Sequence, residues 1–229
     1  ASMEVNSLSI FNVLSAVNAY SSETKVFYAA SSHIFGSPSS AIQNEETPFD
    51  PVCTYGITKL AGVQACRYFR DKYGVFVCVG IMYNHESPLK GDAFVSQRIV
   101  QSAVNIKLQK QSKLILGDLS AEVDWGYAGD YVKAMYGVMS LDEGDDYIIS
   151  SGELHTVEDL VSVAFGYLDL EWRLYVAVDE GHLSKIRRRS LQGDNTKIRA
   201  SIGWLPTVSF EEMVQYMVDS YLSMHEKEL

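Results

Sequence analysis

The chain has 229 residues, of which 47% are hydrophobic and 21% charged, and its formal net charge is −10. This length and apolar content are enough for a substantial buried core, arranged in one or two structural lobes. The acidic balance disfavours nonspecific nucleic-acid binding, which needs a basic face, so no nucleic-acid partner is expected. No apolar run approaches the roughly 20 residues that span a bilayer, and no membrane association is expected.

The three cysteines, Cys53, Cys66 and Cys78, form no Cys-x-x-Cys pair and do not have the spacing of zinc ligands. We therefore expect reduced thiols in or near the core, and the sequence predicts no metal site. A cytoplasmic location is expected for the protein.

The first part of the chain alternates between helical and strand patterns. An apolar stripe predicts a helix over residues 3–17, and residues 25–30 predict a strand that is apolar on both faces, as in a parallel sheet. A loop rich in Gly, Ser and Pro then leads to a helix predicted over residues 54–73, which Gly74 ends. Residues 75–83 predict the next buried strand.

The rest of the chain continues with helices and one further strand. The patterns predict helices over residues 94–108, 130–141, 156–168 and 208–224, and a strand over residues 114–117. The chain therefore belongs to the α/β class.

A tyrosine and a lysine lie four residues apart in the helix predicted over residues 54–73. At this spacing Tyr55 and Lys59 project from one face, and the ammonium can lower the pKa of the phenol so that it accepts a proton near neutral pH. The hydroxyl of Ser31, after the first strand, could share that proton or hold a substrate oxygen. The pattern alone also fits an ordinary surface helix, but its context favours proton abstraction from a sugar alcohol while a nicotinamide takes the hydride.

Several longer motifs occur in the order and spacing of a known family. They are Tyr83-Asn84-His85-Glu86-Ser87-Pro88, Asp124-Trp125-Gly126-Tyr127-Ala128-Gly129-Asp130-Tyr131-Val132, and Gly193-Asp194-Asn195-Thr196-Lys197 followed by Ile202-Gly203-Trp204. Along nearly its whole length the chain resembles the extended short-chain dehydrogenase/reductase family (the NAD-dependent epimerases and dehydratases), closest to its GDP-mannose 4,6-dehydratase branch.

The resemblance implies a partial NAD(P)-binding Rossmann fold, a doubly wound parallel sheet, with a smaller C-terminal substrate-binding α/β portion. Residues 1–83 would form the C-terminal half of the Rossmann domain with the Ser/Tyr/Lys site. Residues 84–229 would complete the sheet and form the sugar-nucleotide lobe. The family's Gly-x-x-Gly-x-x-Gly turn does not occur in this sequence, so we expect a fragment without the first strands that binds dinucleotide poorly by itself.

The resemblance also implies roles for individual residues. Ser31 and Tyr55 would engage the C4 oxygen of the sugar, Lys59 would tune Tyr55 and hold the nicotinamide ribose, and His33 would act in catalysis beside them. The implied cofactor-binding residues are Tyr55, Lys59, Tyr83 and His85, and the implied substrate-binding residues are Ser32, Asn84, Phe94, Val95 and Arg98. A turn-capping asparagine at position 84 and a solvated helix arginine at position 98 are the plain alternatives.

The remaining motif residues are interpreted as architectural. Asp124 and Asp130 can cap loops or helix starts, Trp125 can pack beneath the nucleotide-binding segment, and Asp194 lies near a helix cap.

The sequence departs from the family at several functional positions. His33 stands where a glutamate is expected, and Val123 where a phosphate-contacting arginine is usual. Leu89-Lys90 replaces two arginines, which puts NADP-specific and tetramer-interface contacts in doubt. Ser184-Lys185-Ile186-Arg187 replaces an Arg-Pro-x-Glu segment, although the run Arg187-Arg188-Arg189 could supply substitute phosphate contacts or be a solvated turn.

Three functions remain open at this point. The leading one is a GDP-mannose 4,6-dehydratase-like lyase that uses bound NADP, with NAD as the alternative, on GDP-mannose or a related GDP-sugar, with His33 taking over the C5/C6 proton work. The second is a GDP-sugar 4-epimerase, 4-dehydrogenase or reductase without dehydration, and the third is a non-catalytic sugar-nucleotide-binding subunit. A homodimer or homotetramer is expected from the family.

Overall fold

The computed structural model describes residues 2–179 and 190–226. The strands are β1 (Val26–Ala29), β2 (Ile42–Gln43), β3 (Val77–Met82), β4 (Asn84–Glu86), β5 (Leu114–Leu116), β6 (Glu122–Val123), β7 (Trp125–Tyr127), β8 (Asp146–Ile149), β9 (His155–Thr156), β10 (Val176–Val178) and β11 (Gln192–Gly193). The helices are α1 (Ser9–Tyr20), α2 (Thr54–Tyr73), α3 (Val95–Lys107), α4 (Ala128–Val138), α5 (Val157–Gly166), α6 (Thr196–Ile202) and α7 (Phe210–Glu226). A π-helical turn precedes α1 at Glu4–Leu8, and 3-10 turns lie at Ser32–Ile34 and Trp172–Leu174.

The chain forms two compact units. The first unit comprises Ala1–Tyr83, Asp130–Glu153 and Leu191–Leu205, and the second unit comprises Asn84–Gly129, Leu154–Ser190 and Pro206–Leu229. The first unit therefore contains two segments from later in the chain in addition to residues 1–83.

A parallel sheet of three strands, in the order β1-β3-β8, lies at the centre of the first unit. Val26 of β1 is paired with Val77 of β3, and Met82 of β3 with Ile149 of β8. Alternate residues of the strands enter two apolar clusters, one containing Val77 with side chains of α1 and α2, and the other containing Cys78 with side chains of α4 and α6. Both faces of the sheet are thus covered, which confirms the α/β class and the two strands predicted over residues 25–30 and 75–83.

Helix α2 has the bounds that the sequence predicts, from Thr54 to Tyr73. It begins after Pro51, and the thiol of Cys53 accepts a hydrogen bond from the Gly56 amide at its N-terminus. It carries both Tyr55 and Lys59, and it packs on β1 and β3.

The second unit has a core of its own, built from α3, α5 and α7. The strand pairs β4–β7 and β5–β10 are parallel and β6–β9 is antiparallel. Helix α5 starts with a capping box in which Thr156 and Asp159 bond each other's backbone amides. The predictions of helices over residues 94–108, 156–168 and 208–224 and of a strand over 114–117 are confirmed to within two residues at each end.

The motif residues interpreted as architectural lie at packing and capping positions. Within the second unit, Trp125 is buried and stacks on Phe210 with ring centroids 5.9 Å apart. Within the first unit, the indole of Trp204 donates a 2.9 Å hydrogen bond to the carbonyl of buried Asp130, and the Asp194 carboxylate accepts one from the Thr196 amide at the start of α6.

Two predicted helices and one strand differ from the sequence prediction. The helix predicted over residues 3–17 begins as the π-helical turn Glu4–Leu8 and continues as α1 to Tyr20. Helix α4 ends at Val138 and not at residue 141. Strand β8 was not predicted, although its four residues are all buried and it forms one edge of the described part of the sheet. Of the helices in the described ranges, none combines the length and the apolar character that crossing a membrane requires.

Candidate functional site

The turn that follows β1 carries the first two candidate catalytic residues. The chain leaves Ala29, the last residue of β1, and enters the 3-10 turn Ser32–Ile34, where the Ser31 hydroxyl accepts a 3.3 Å hydrogen bond from the His33 amide. Ser31 and Ser32 are buried, whereas His33 is exposed. This turn lies at the carboxyl end of a parallel strand, where doubly wound sheets bind their ligands.

Tyr55 and Lys59 lie on one face of the first turns of α2, as predicted. The ammonium nitrogen of Lys59 is 5.7 Å from the centroid of the Tyr55 ring and donates a 2.7 Å hydrogen bond to the carbonyl oxygen of Ala29. Burial lowers the pKa of Lys59 from its ordinary value, because removing water disfavours the charged form. The Tyr55 side chain is 44% exposed, so its phenol can reach a bound molecule.

The turn and the helix meet at His33 and Tyr55. The two rings pack edge to face, with centroids 5.8 Å apart and an interplanar angle of 82°. Gly56 makes this approach possible, because a Cβ at that position would lie 2.5 Å from the carbonyl oxygen of His33. The structure therefore brings Ser31, His33, Tyr55 and Lys59 together at the end of β1.

Two phenol rings flank the ammonium of Lys59, and only one of them is accessible. The centroid of the Tyr28 ring is 5.3 Å from the Lys59 nitrogen, close to the distance of the Tyr55 ring. Burial raises the pKa of the Tyr28 phenol, and that side chain is only 7% exposed. Tyr55 is thus the phenol of this pair that can exchange a proton with a ligand.

Tyr83, predicted to bind cofactor, follows β3 in the first unit. It is buried, its hydroxyl donates a 3.0 Å hydrogen bond to the side-chain oxygen of Gln43, and its amide bonds the carbonyl of Ile149. The cofactor role of Tyr83 and the substrate role of Ser32 stay predictions.

The other predicted site residues belong to the second unit. Asn84 and His85 lie on β4, opposite Trp125 and Gly126 of β7. Arg98 of α3 is exposed, and its guanidinium donates a 3.3 Å hydrogen bond to the carbonyl of Ile115. Their binding roles stay predictions.

Phe94 and Val95 form the start of α3. Both are exposed, and the ammonium nitrogen of Lys90 lies 4.2 Å from the centroid of the Phe94 ring. Lys90, one of the departures from the family pattern, also pairs with buried Glu86 at 3.3 Å. The segment predicted to bind the base thus presents an aromatic face with a cation beside it. The basic run of residues 187–189 and the segment of residues 184–187 lie outside the described residues.

A hydrogen-bonded network behind the site was missed by sequence reasoning. The Asn6 side chain donates to the Thr58 hydroxyl at 3.0 Å, the Ser7 hydroxyl donates to the Thr58 carbonyl at 2.8 Å, and the Thr58 hydroxyl donates to the Tyr55 carbonyl at 2.9 Å. These bonds join the turn before α1 to the segment of α2 that carries Tyr55. Sequence spacing contains no signal for the bonds from Asn6 and Ser7, because each of these residues is about fifty positions from Thr58.

Comparisons with known proteins identify the family of the chain. The family model described as GDP-mannose 4,6 dehydratase matches residues 1–217. The chain is 42% identical to GDP-mannose 4,6 dehydratase 2 of Arabidopsis thaliana over 89% of this chain and 54% of that protein. It is 33% identical to the human GDP-mannose 4,6 dehydratase over 94% of this chain and 63% of that protein. The chain thus spans little more than half the length of these curated relatives.

Solved structures show the same fold. RMD from Pseudomonas aeruginosa, complexed with NADPH, superposes with a TM-score of 0.89 at 22% identity, over 97% of this chain and 74% of that one. A dTDP-glucose 4,6-dehydratase from Bacillus anthracis, in complex with NAD, gives a TM-score of 0.87 at 21% identity, over 98% of this chain and 69% of that one. With a family model matched over nearly its full length, the chain belongs to the GDP-mannose 4,6 dehydratase family.

Proposed function

We propose that this chain carries the acid/base site of a GDP-mannose 4,6-dehydratase-like lyase. The reaction would convert a GDP-hexose to its 4-keto-6-deoxy form through transient oxidation at C4 with bound NADP. The observation that carries the proposal is the meeting of Ser31 and His33 with Tyr55 and Lys59 at the carboxyl end of β1. The family match over residues 1–217 supports the substrate class.

The residues at this site fit a nicotinamide nucleotide, the cofactor class bound in two structures of the same fold. The Lys59 ammonium has three N–H groups and donates one of them to the Ala29 carbonyl. Another N–H can therefore donate to a ribose hydroxyl. The accessible Tyr55 phenol lies beside it. When bound, the cofactor would accept the hydride from C4 of the sugar and return it at C6.

The chain's own groups would move the protons. Tyr55 would take the proton of the C4 hydroxyl as C4 is oxidised, with the ammonium of Lys59 beside its ring. The Ser31 hydroxyl holds the C4 oxygen. His33, exposed and in edge contact with Tyr55, would take the C5 proton and protonate the C6 hydroxyl, which leaves as water.

A second function rests on the same histidine. His33 stands where the family has a carboxylic acid. If this histidine only shapes the pocket, the chain would catalyse oxidation, reduction or epimerisation at C4 without dehydration. A non-catalytic sugar-nucleotide-binding subunit is the third reading, and it requires no proton transfer at Tyr55.

Mass spectrometry of GDP-mannose incubated with NADP and the full-length natural protein that contains this chain tests the proposal. Loss of one water from the sugar nucleotide is the expected result, and Tyr55→Phe should abolish it while nucleotide-sugar binding is retained. Binding without water loss would move the assignment to C4 redox or epimerase chemistry. A protein that binds no GDP-sugar would contradict the proposal and the sugar-nucleotide-binding reading alike, in favour of a degenerate subunit.

A further inference from the structure

Tyr28, in the middle of β1, contacts Lys59 at two places. Its hydroxyl donates a 2.8 Å hydrogen bond to the carbonyl of Asn6 and lies 3.3 Å from the carbonyl of Lys59 itself. Its ring faces the other end of the same residue, with the Lys59 nitrogen 5.3 Å from the ring centroid. This distance lies within the range in which a cation is attracted to an aromatic face.

Helix α2 is shaped to receive this side chain. A Cβ built on Gly62 would overlap the hydroxyl and the ring of Tyr28, so only glycine lets the helix lie this close to β1. The same close approach brings Asn6 within reach of Thr58, whose hydroxyl bonds the Tyr55 carbonyl. Tyr28 therefore lies where the sheet, the turn before α1 and the catalytic part of α2 come together.

We propose that Tyr28 is a positioning residue that holds Lys59 beside Tyr55, its hydroxyl anchoring the backbone of α2 and its ring holding the ammonium. The inference rests on the proposed function, in which Lys59 supports Tyr55. It adds a residue that touches neither sugar nor cofactor.

The chemistry of Tyr28 suits this role and excludes that of a second base. Its side chain is buried, and desolvation keeps its phenol protonated at all pH values near neutrality. A permanently protonated phenol always has its one O–H available, with the Asn6 carbonyl as the nearer acceptor at 2.8 Å and the Lys59 carbonyl as the longer one at 3.3 Å. Its ring also carries no charge that would compete with Tyr55 for the ammonium.

Two variants separate the two contacts, and both are measured on the chain without substrate. Tyr28→Leu removes the ring face, and we expect the pKa of Lys59, followed by NMR of its ε-carbon, to fall by about half a unit because the ammonium loses its aromatic partner. Tyr28→Phe keeps the ring and removes the hydroxyl. In that variant the Lys59 pKa should stay unchanged, while amide hydrogen exchange over residues 55–63 becomes several-fold faster. Tyr68→Phe, which removes an exposed hydroxyl from the same helix, is the matched control and should change neither quantity.

A Lys59 pKa in folded Tyr28→Leu that equals or exceeds the natural value would overturn the proposal. If Tyr28→Leu does not fold, unchanged amide exchange in Tyr28→Phe would overturn it. In the active full-length protein, the low-pH limb of the turnover profile should move to higher pH in Tyr28→Leu, because a displaced Lys59 no longer supports Tyr55. A natural protein without turnover would count against the proposed function alone, since titration and exchange need no substrate.

Discussion

The ammonium of Lys59 donates a 2.7 Å hydrogen bond to the carbonyl oxygen of Ala29, the last residue of β1. The charge is thus held by the sheet as well as by its own helix, before any ligand binds. Such preorganisation matters for catalysis, because an ammonium that is already in place acts on neighbouring charge without first having to reorganise.

The proposed role of His33 distinguishes dehydration from simple C4 chemistry. If its imidazole moves the C5 and C6 protons, His33→Ala should lower the rate of water loss about 100-fold or more, the usual contribution of a general acid/base. His33→Glu restores an ionisable group on the same turn and should recover part of that rate. Both rates are measured by mass spectrometry of the GDP-sugar product, with hydride transfer followed by nicotinamide absorbance. Equal water loss by His33→Ala and the natural protein would remove His33 from the mechanism.

Gly56 keeps α2 in contact with the turn of His33. In Gly56→Ala the new Cβ would lie 2.5 Å from the His33 carbonyl oxygen, and backbone on both sides must move apart. We expect the free energy of unfolding to fall by about 1–3 kcal/mol, the usual cost of overpacking. Urea unfolding measures the loss. Gly166→Ala, at the end of α5 where an added Cβ meets no atom within 4 Å, is the control and should show no loss; equal losses in the two variants would contradict the expectation.

Asp146 at the start of β8 holds two arginines of α2. Its buried carboxylate accepts hydrogen bonds from Arg67 at 2.6 Å and from Arg70 at 2.9 Å. Asp146→Asn leaves both guanidiniums without their anion, and we expect a loss of about 3 kcal/mol in the free energy of unfolding. The exposed Asp142 provides the comparison, since Asp142→Asn should cost at most about 0.5 kcal/mol. A loss in Asp146→Asn as small as that in Asp142→Asn would show that the pair contributes nothing.

Glu45 gives the stability of the chain a pH dependence with a defined sign. Burial raises the pKa of this carboxyl, against the opposing effect of the hydrogen bond that it accepts from the Ile148 amide of β8 at 2.8 Å. The folded chain binds this proton more tightly than the unfolded chain does. The contribution of Glu45 to the free energy of unfolding is therefore full below the pKa that its carboxyl has in the unfolded chain, and it is lost as pH rises through the pKa that it has in the folded chain.

Glu45→Gln keeps an acceptor for the Ile148 amide and removes the titration. Its stability relative to the natural chain should therefore increase as pH rises from about 4 to about 7, measured by urea unfolding at each pH. Glu46→Gln, which changes an exposed neighbour, should show no such trend. A difference between Glu45→Gln and the natural chain that does not vary with pH would contradict the assigned pKa direction.

Local patterns were enough to predict much of the fold. The apolar runs at residues 25–30 and 75–83 became β1 and β3, and the helix predicted over residues 54–73 has those bounds in the structure. Strand β8 was not predicted because all four of its residues are buried. A buried strand this short has no polar and apolar alternation that would distinguish it from a buried helical segment. Short apolar runs are decided by their neighbours in the sheet, and in the described structure β8 is a strand because β3 pairs with it.

The sequence by itself determined that Tyr55 and Lys59 share a face of one helix, since four residues make about one helical turn. It also determined that Ser31 and His33 follow a buried strand. Only the tertiary structure decided that the Lys59 ammonium bonds Ala29, that Tyr28 holds both ends of Lys59, and that Gly56 and Gly62 admit these contacts. The physical reason is that the two partners of each contact lie at least about twenty residues apart in the sequence. Their contact therefore depends on how α2 packs on β1 and not on any local periodicity.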